Sequence, residues 1–287
     1  MDKLVSVVIP TYNREDTIIR TINSILSQSY QNIEIIVCDD FSTDHTVDRV
    51  KGISEIYSNV TIVSRKDGIK GANAARNLGI TMAKGEYIAF CDSDDMLLDE
   101  SISNRVKVLD ENPEIDMVYG DYIIDGKLSP FDKIQNFDQH KYIMQELSLC
   151  GFIAIMLRKR VFDVCPLLDN NLKSGQDDGL VIELDRCNMK MFHCGFAVAE
   201  VGNASNNITS NNWNLYEGLK YRVSLYKTDI IKETSIFRYF LWKMRILLDY
   251  FRAKRQSSVN EKIEWWYEKA FQLLLFILKP FYRHIWG

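Results

Sequence analysis

Tyr87–Asp95 reads YIAFCDSDD, an uncharged run that gives way to Asp92, Ser93, Asp94 and Asp95. A short, almost continuously apolar run is the pattern of a parallel strand covered on both faces. Crowded carboxylates repel one another and suit a strand interior poorly, so the charge marks the strand's carboxyl end. The pattern recurs on the N-terminal side. VSVVIP (Val5 to Pro10) runs into Thr11, Tyr12, Asn13 and Arg14, and IEIIVCDD (Ile33 to Asp40) ends in Asp39 and Asp40. VTIVSR (Val60 to Arg65) and MVYGDYII (Met117 to Ile124) read as further strands.

Between these runs Ile18, Ile22, Ile25 and Leu26 fall at helical spacing, as do Ile102, Val106 and Leu109. Ser42, Thr43 and Asp44 offer caps to the helix after the second strand. Repeated βα units predict an α/β fold with a doubly wound, mostly parallel sheet, in which ligands bind beyond the carboxyl ends of the strands. The groups after the first, second and fourth runs then share one edge. Near Asp125 the alternation stops, which divides the chain into residues 1–125, residues 126–235 and a helical tail, residues 236–287.

Composition narrows the function. With 46% hydrophobic and 26% charged residues, 14 Gly and 5 Pro, the 287-residue chain is neither disordered nor fibrous. A formal charge of −4 lacks the basic footprint of a general nucleic-acid binder. The six cysteines include no CxxC pair; Cys38 and Cys91, in apolar runs that read as strands, are expected to be reduced core residues of a cytosolic protein, and Cys187, His193 and Cys194 lack the fourth ligand that would favour zinc over ordinary packing. The start MDKLVSVVIP has no signal-peptide pattern, and the apolar stretch Ala270 to Leu278 is too short to span a bilayer.

The tail is of another character. Residues 236–287 hold ten Lys/Arg against four acids, and 14 of the chain's 33 aromatic residues. Its first helix sets a stripe of Phe237, Phe240, Leu241, Met244, Leu248 and Phe251 against a face with Arg238, Arg245 and Arg252. Trp265, Trp266 and Trp286 suit headgroup depth. An anionic membrane surface is the expected partner, with the tail separable near Ser235. Packing on the body and a homodimer interface are the alternatives.

The strand-end carboxylates admit two readings: a solvated capping turn, or a site where Mg2+ or Mn2+ takes one or two carboxylates and completes its shell with substrate phosphate. Their clustering with Tyr12, whose ring suits a base, and Asp39, which can accept from a ring N–H, favours a nucleoside diphosphate. Arg76 offers positive charge to the base or diphosphate; its alternative is a helix-surface ion pair of little worth.

VSVVIPTYNRE, IEIIVCDDFSTDHT, KGANAARNLGI, AKGEYIAFCDSDD and SGQDDGLVIEL, in this order, resemble family 2 of the inverting glycosyltransferases, of the bacterial surface-polysaccharide type and with the GT-A fold. The resemblance covers about the first 200 residues. It implies donor contacts from Pro10, Thr11, Tyr12, Asp39, Arg76, Asp92 and Ser93, with Thr11, Tyr12 and Asp39 at the base and Asp92 toward the ribose. It implies metal on Asp94 and a catalytic base at Asp177, with Asp178 as second choice.

Where related enzymes carry Glu then Asp before the late helix, this chain has Gln176 then Asp177. The loop Gly202 to Asn212 lacks the Arg or His that the family often turns toward the diphosphate, which leaves its Asn side chains, Trp213 or a residue that the sequence does not identify, and no residue of this loop is carried over. The implied function is transfer of a sugar, with a UDP-sugar as first choice of donor, to a lipid-linked saccharide at the inner face of the cell membrane. A sugar nucleotidyltransferase would show a Gly- and Arg-rich phosphate loop where PTYNRE stands, and a dehydrogenase GxGxxG. A non-catalytic nucleotide-binding scaffold is the third reading.

Overall fold

The computed structural model describes residues 2–256 except 67, 69, 130, 132–138 and 203–210, together with Lys269. The chain divides into two compact units: residues 1–143, 147–170 and 177–204, and residues 144–146, 171–176 and 205–287.

The first unit is built on a nine-stranded sheet. Four strands, β1 (Val5–Thr11), β2 (Ile33–Asp39), β3 (Val60–Ser64) and β4 (Tyr87–Phe90), alternate with α1 (Ile18–Leu26), α2 (Thr46–Ser54) and α3 (Ala72–Met82). They pair in parallel in the order β3-β2-β1-β4. Every residue of β1 and β4 is buried, as their apolar runs require. Helix α1 turns Ile18, Ile22 and Ile25 inward, as the spacing predicts. In α2 no side chain caps the first turn from the N-cap position, but Asp44 accepts from Thr46 N–H at 3.0 Å.

Beyond β4 the sheet becomes mixed. The remaining elements are β5 (Met96–Leu97), α4 (Ser101–Glu111), β6 (Met117–Ile124), β7 (Lys127–Ser129), α5 (Gln139–Glu146), β8 (Ile155–Arg158), α6 (Gln176–Arg186) and β9 (Met191–Val201). The strand order continues β4-β8-β6-β9-β5, with β7 on β6. Strand β8 lies antiparallel between β4 and β6, so the strand next in sequence is not the next neighbour in space. Strand β9 runs parallel to β6 and carries β5 antiparallel on its far side.

The second unit contains α7 (Asn212–Leu225), α8 (Lys227–Glu233) and α9 (Ile236–Gln256). Asn211 caps α7 by accepting from Trp213 and Asn214 N–H. Trp213, Tyr216 and Tyr250 form a cluster with centroids 5.5–6.1 Å apart, Trp213 meeting both tyrosines edge to face, and the Lys254 ammonium lies 5.3 Å from the Trp213 ring. Helix α9 buries Leu241, Ile246, Leu248 and Ala253.

Two expectations for the tail change as a result. Arg238, assigned to a lipid-facing basic face, is 7% exposed, donating to Gln145 O and Glu146 Oε1 at 2.9 and 3.1 Å. Arg245 and Arg252 both pair with Asp249. The exposed apolar side of α9 is instead Ile236, Phe237, Phe240 and Leu247. Trp265, Trp266 and Trp286 lie outside the described residues.

Candidate active site

The acidic turn sits where the sequence places it, directly after β4. Asp95 N–H closes it onto Asp92 O at 3.1 Å. Asp92 accepts from Arg76 Nη2 at 2.6 Å. The Arg76 side chain is only 5% exposed, and its guanidinium lies 3.9 Å from the Phe152 ring centroid. The reading of Arg76 as a surface ion pair is thereby corrected: α3 drives this cation into the site beneath an aromatic face.

Asp94 faces Arg14, with Oδ2 3.7 Å from Nε. Burial and then the charge of Asp92 push its carboxyl up from the ordinary range. Asp95 is pushed up to about 8, chiefly by burial and then by Asp92, although it accepts from Gly202 N–H at 2.8 Å. Ser93 is buried, its carbonyl accepting from Thr17 Oγ1 at 2.8 Å.

The ends of β1 and β2 lie on the same edge of the sheet. Pro10 pairs in register with Cys38, and Thr11 with Asp39. Thr11 is 2% exposed, and its Oγ1 has no hydrogen-bond partner. Tyr12 is 45% exposed, with Lys70 Nζ 5.8 Å from its ring. The Asp39 carboxylate accepts weakly from Ser42 N–H, at 3.2 and 3.3 Å. Its neighbour Asp40 is committed elsewhere, to Arg65 Nη1 at 2.6 Å and Gly71 N–H at 2.8 Å. Asp40 thereby ties the end of β2 to the entry of α3.

Asp177 and Asp178 open α6, where the N-terminal helix dipole favours carboxylates. Asp177 Oδ1 accepts from Asp178 N–H at 3.1 Å. A Cβ placed on Gly151 would lie 3.7 Å from Asp177 Oδ2, so the carboxylate sits over a residue with no side chain. Tyr122 lies on β6. Burial raises its pKa most, and Asp177 and Asp95 add to the rise. Gln176 donates from Nε2 to Leu172 O at 3.0 Å, a bond that an ionised glutamate at this position could not donate.

Among the described residues no three His, Cys, Asp or Glu side chains form a complete metal cage. The donor set nevertheless suits a hard divalent cation shared with phosphate: two carboxylates of the turn are raised by burial and mutual repulsion, a state that a cation relieves. Of Cys187, His193 and Cys194 only His193 is fully buried, the two cysteines being half-buried. His193 Nδ1 accepts from Gly195 N–H at 3.0 Å, Nε2 meets Asp121 Oδ1 at 2.7 Å, and Cys194 donates to Phe196 O.

Sequence reading assigned no role to Arg14, which it placed on the ligand edge, nor to Phe152 and Asn73. Asn73 is 2% exposed on the first turn of α3, one turn before Arg76, and its Oδ1 has no partner. Its position in GANAARNLGI was the available signal for it. For Phe152, brought in from a distant segment, there was none. Trp213, considered for covering a donor, is engaged in the aromatic cluster of the second unit. Residues 203–210 of that loop lie outside the described residues.

A mixed sheet with this strand order, carrying an acidic turn at the carboxyl end of β4, is the GT-A architecture of nucleotide-sugar transferases. S. aureus TarS 1–349 in complex with UDP-GlcNAc shares it with a TM-score of 0.62 at 20% identity, over 95% of this chain and 79% of that one. A mannosyltransferase from Pyrobaculum calidifontis, in complex with GDP-Man and Mn2+, does so with a TM-score of 0.62 at 15% identity, over 100% and 88%. The chain belongs to glycosyl transferase family 2, whose model matches residues 6–165. Among curated relatives, the Escherichia coli UDP-Glc:alpha-D-GlcNAc-diphosphoundecaprenol beta-1,3-glucosyltransferase WfaP is 45% identical over 123 residues, 43% of this chain and 47% of that protein. The chain thus spans about half the length of this relative.

Proposed function

We propose that the protein is an inverting glycosyltransferase that moves a sugar from a UDP-sugar to a lipid-linked saccharide in surface-polysaccharide synthesis. The observation that carries the reading is the acidic turn. Asp92, Asp94 and Asp95 stand beside two cations, Arg76 and Arg14, at the strand edge that also carries Tyr12, the unpartnered Thr11 hydroxyl and Asp39. Such an arrangement suits a nucleoside diphosphate: base at Thr11, Tyr12 and Asp39, ribose toward Asp92, diphosphate toward Asp94.

Inversion requires one in-line displacement. In this reading the Asp177 carboxylate takes the proton of the acceptor hydroxyl as its oxygen attacks the anomeric carbon, and the nucleoside diphosphate leaves from the opposite face. Arg76 and Arg14 set positive charge at the leaving-group side. Mn2+ or Mg2+ on Asp94 would supply Lewis-acid stabilisation of the departing diphosphate, worth several kcal/mol in such sites.

The donor choice draws on UDP-GlcNAc in the TarS complex and on UDP-Glc in the name of the relative WfaP, whose name also gives a lipid-linked acceptor. An acceptor of that kind calls for a peripheral position on the inner face of the membrane. The exposed Ile236, Phe237, Phe240 and Leu247 of α9, with Lys243 among them, suit that surface. Among the described residues no helix is long and apolar enough to cross a bilayer.

Calorimetric titration with UDP, with and without Mn2+, followed by a screen of UDP-, dTDP- and GDP-sugars for release of the nucleotide, tests the proposal. UDP binding strengthened by Mn2+ and turnover of a UDP-sugar are expected. Absence of any nucleoside diphosphate binding would refute it.

A further inference from the structure

Thr17, Arg20, Thr21, Ser24 and Gln28 fall at i, i+3, i+4, i+7 and i+11, a single face of α1 and its exit. Each of these five side chains makes a hydrogen bond to the backbone of residues 93–98. Thr17 Oγ1 donates to Ser93 O at 2.8 Å, Arg20 Nη2 to Asp94 O at 2.9 Å, and Thr21 Oγ1 to Asp95 O at 2.8 Å. Ser24 Oγ then accepts from Leu97 N–H, and Gln28 Nε2 donates to Leu98 O. Three consecutive carbonyls of the acidic turn are therefore held by three side chains of one helix. Thr17 occupies the N-cap position but makes no capping bond, its hydroxyl being committed to Ser93.

Gly202 closes the arrangement from the other side. A Cβ there would lie 1.9 Å from Asp94 O and 3.0 Å from Arg20 Nη2, while its N–H holds Asp95 Oδ1. The meeting of Arg20 with the Asp94 carbonyl depends on residue 202 having no side chain.

We propose that the polar face of α1 (Thr17, Arg20 and Thr21), together with Gly202, is a positioning device that fixes the backbone of the acidic turn, so that the Asp94 carboxylate is presented to a cation shared with the donor diphosphate. The physical need is repulsion. Three carboxylates within four residues splay unless the backbone between them is held, and a cation site built on a single well-placed carboxylate tolerates little displacement. These residues act through Asp94, so the inference rests on the reading of Asp94 as metal ligand.

The test is the gain in UDP affinity that Mn2+ confers, measured by calorimetry, with the paramagnetic resonance of bound Mn2+ as a second readout. Thr17→Val and Thr21→Val keep shape and lose the hydroxyl. Each should cut the Mn2+-dependent gain by about tenfold, roughly 1.4 kcal/mol, and leave UDP affinity in EDTA unchanged. Thr17→Ser and Thr21→Ser, which keep the donor, should retain the gain, a rescue that a packing role for the methyl would not produce.

Arg20→Met, on the exposed part of α1, gives the same reading should the buried Thr21→Val fail to fold. Gly202→Ala should reduce the gain as well. If the valine and methionine variants keep the full gain while Asp94→Ala abolishes it, the positioning inference is wrong and the proposed function stands. If Asp94→Ala also keeps it, the assignment of Asp94 fails and takes this inference with it.

Discussion

Gly79→Ala tests how the core sets the site. In the middle of α3, a Cβ on Gly79 would fall 2.4 Å from Val8 Cγ1, 3.1 Å from Val8 Cγ2 and 3.0 Å from Cys38 Sγ. Carbon contacts are most favourable at about 3.5–4.0 Å, so α3 and β1 must part by about 1 Å. Alanine gains about 1 kcal/mol over glycine in a helix interior. Overpacking a filled core costs about 1–3 kcal/mol. Val8 and Cys38 are both 0% exposed, so neither can swing into solvent and the cost falls in the upper half of that range.

A net loss of about 1–2 kcal/mol follows, read as a lower urea midpoint at unchanged slope. The same separation draws Arg76 from its 2.6 Å bond with Asp92, so UDP affinity should fall as well. Val8→Ala removes two of the three contacts. Combined with Gly79→Ala, it should show a favourable coupling of about 1 kcal/mol or more in a double-mutant cycle. A Gly79→Ala protein as stable as the parent would refute the reasoning, because helix propensity would then have outweighed packing.

Three further expectations follow from the site and the core. Asp177→Asn should keep UDP affinity while transfer falls by about a hundredfold to ten-thousandfold, the usual effect of a lost general base; the same loss at Asp178→Asn alone would move the base to that residue. Phe237→Ser with Phe240→Ser should weaken flotation with anionic liposomes and leave UDP binding intact, substitution being the sound test because truncation at Ser235 would remove buried Leu241 and Leu248; unchanged flotation would release α9 from a membrane role, and a change of sedimentation mass would assign the face to a homodimer. Cys38 and Cys91 are fully buried and Cys150 nearly so; burial pushes the Cys38 thiol up to about 12 and the other two well above the ordinary range. Iodoacetamide at pH 8 should leave all three unmodified until denaturant is added, as mass spectrometry would show, because the thiolate is the reactive form.

The local pattern of the sequence determined the parallel half of the sheet and the edge on which the site lies. Apolar runs ending in Thr11, Asp39 and Asp92–Asp95 can be covered on both faces only as central strands, and their polar ends then face one way. Asp177 and Asp178 stand out through the resemblance of SGQDDGLVIEL and not through a local helix signal, and the structure places Gln176 inside α6 as its first residue, where the resemblance sets it before the helix.

Tertiary structure alone decided what depends on segments distant in the chain. It inserted β8 between β4 and β6, brought Phe152 over Arg76 and Gly202 against Asp94, and tied the Asp40 carboxylate to Arg65 and Gly71. It also turned Leu241, Leu248 and Arg238 of α9 inward and left Ile236, Phe237 and Phe240 outside. Amphipathic spacing reveals that a helix has two faces. Which face is covered depends on the neighbours that arrive there, Gln145 and Glu146 in the case of Arg238, and a one-dimensional pattern does not carry that pairing.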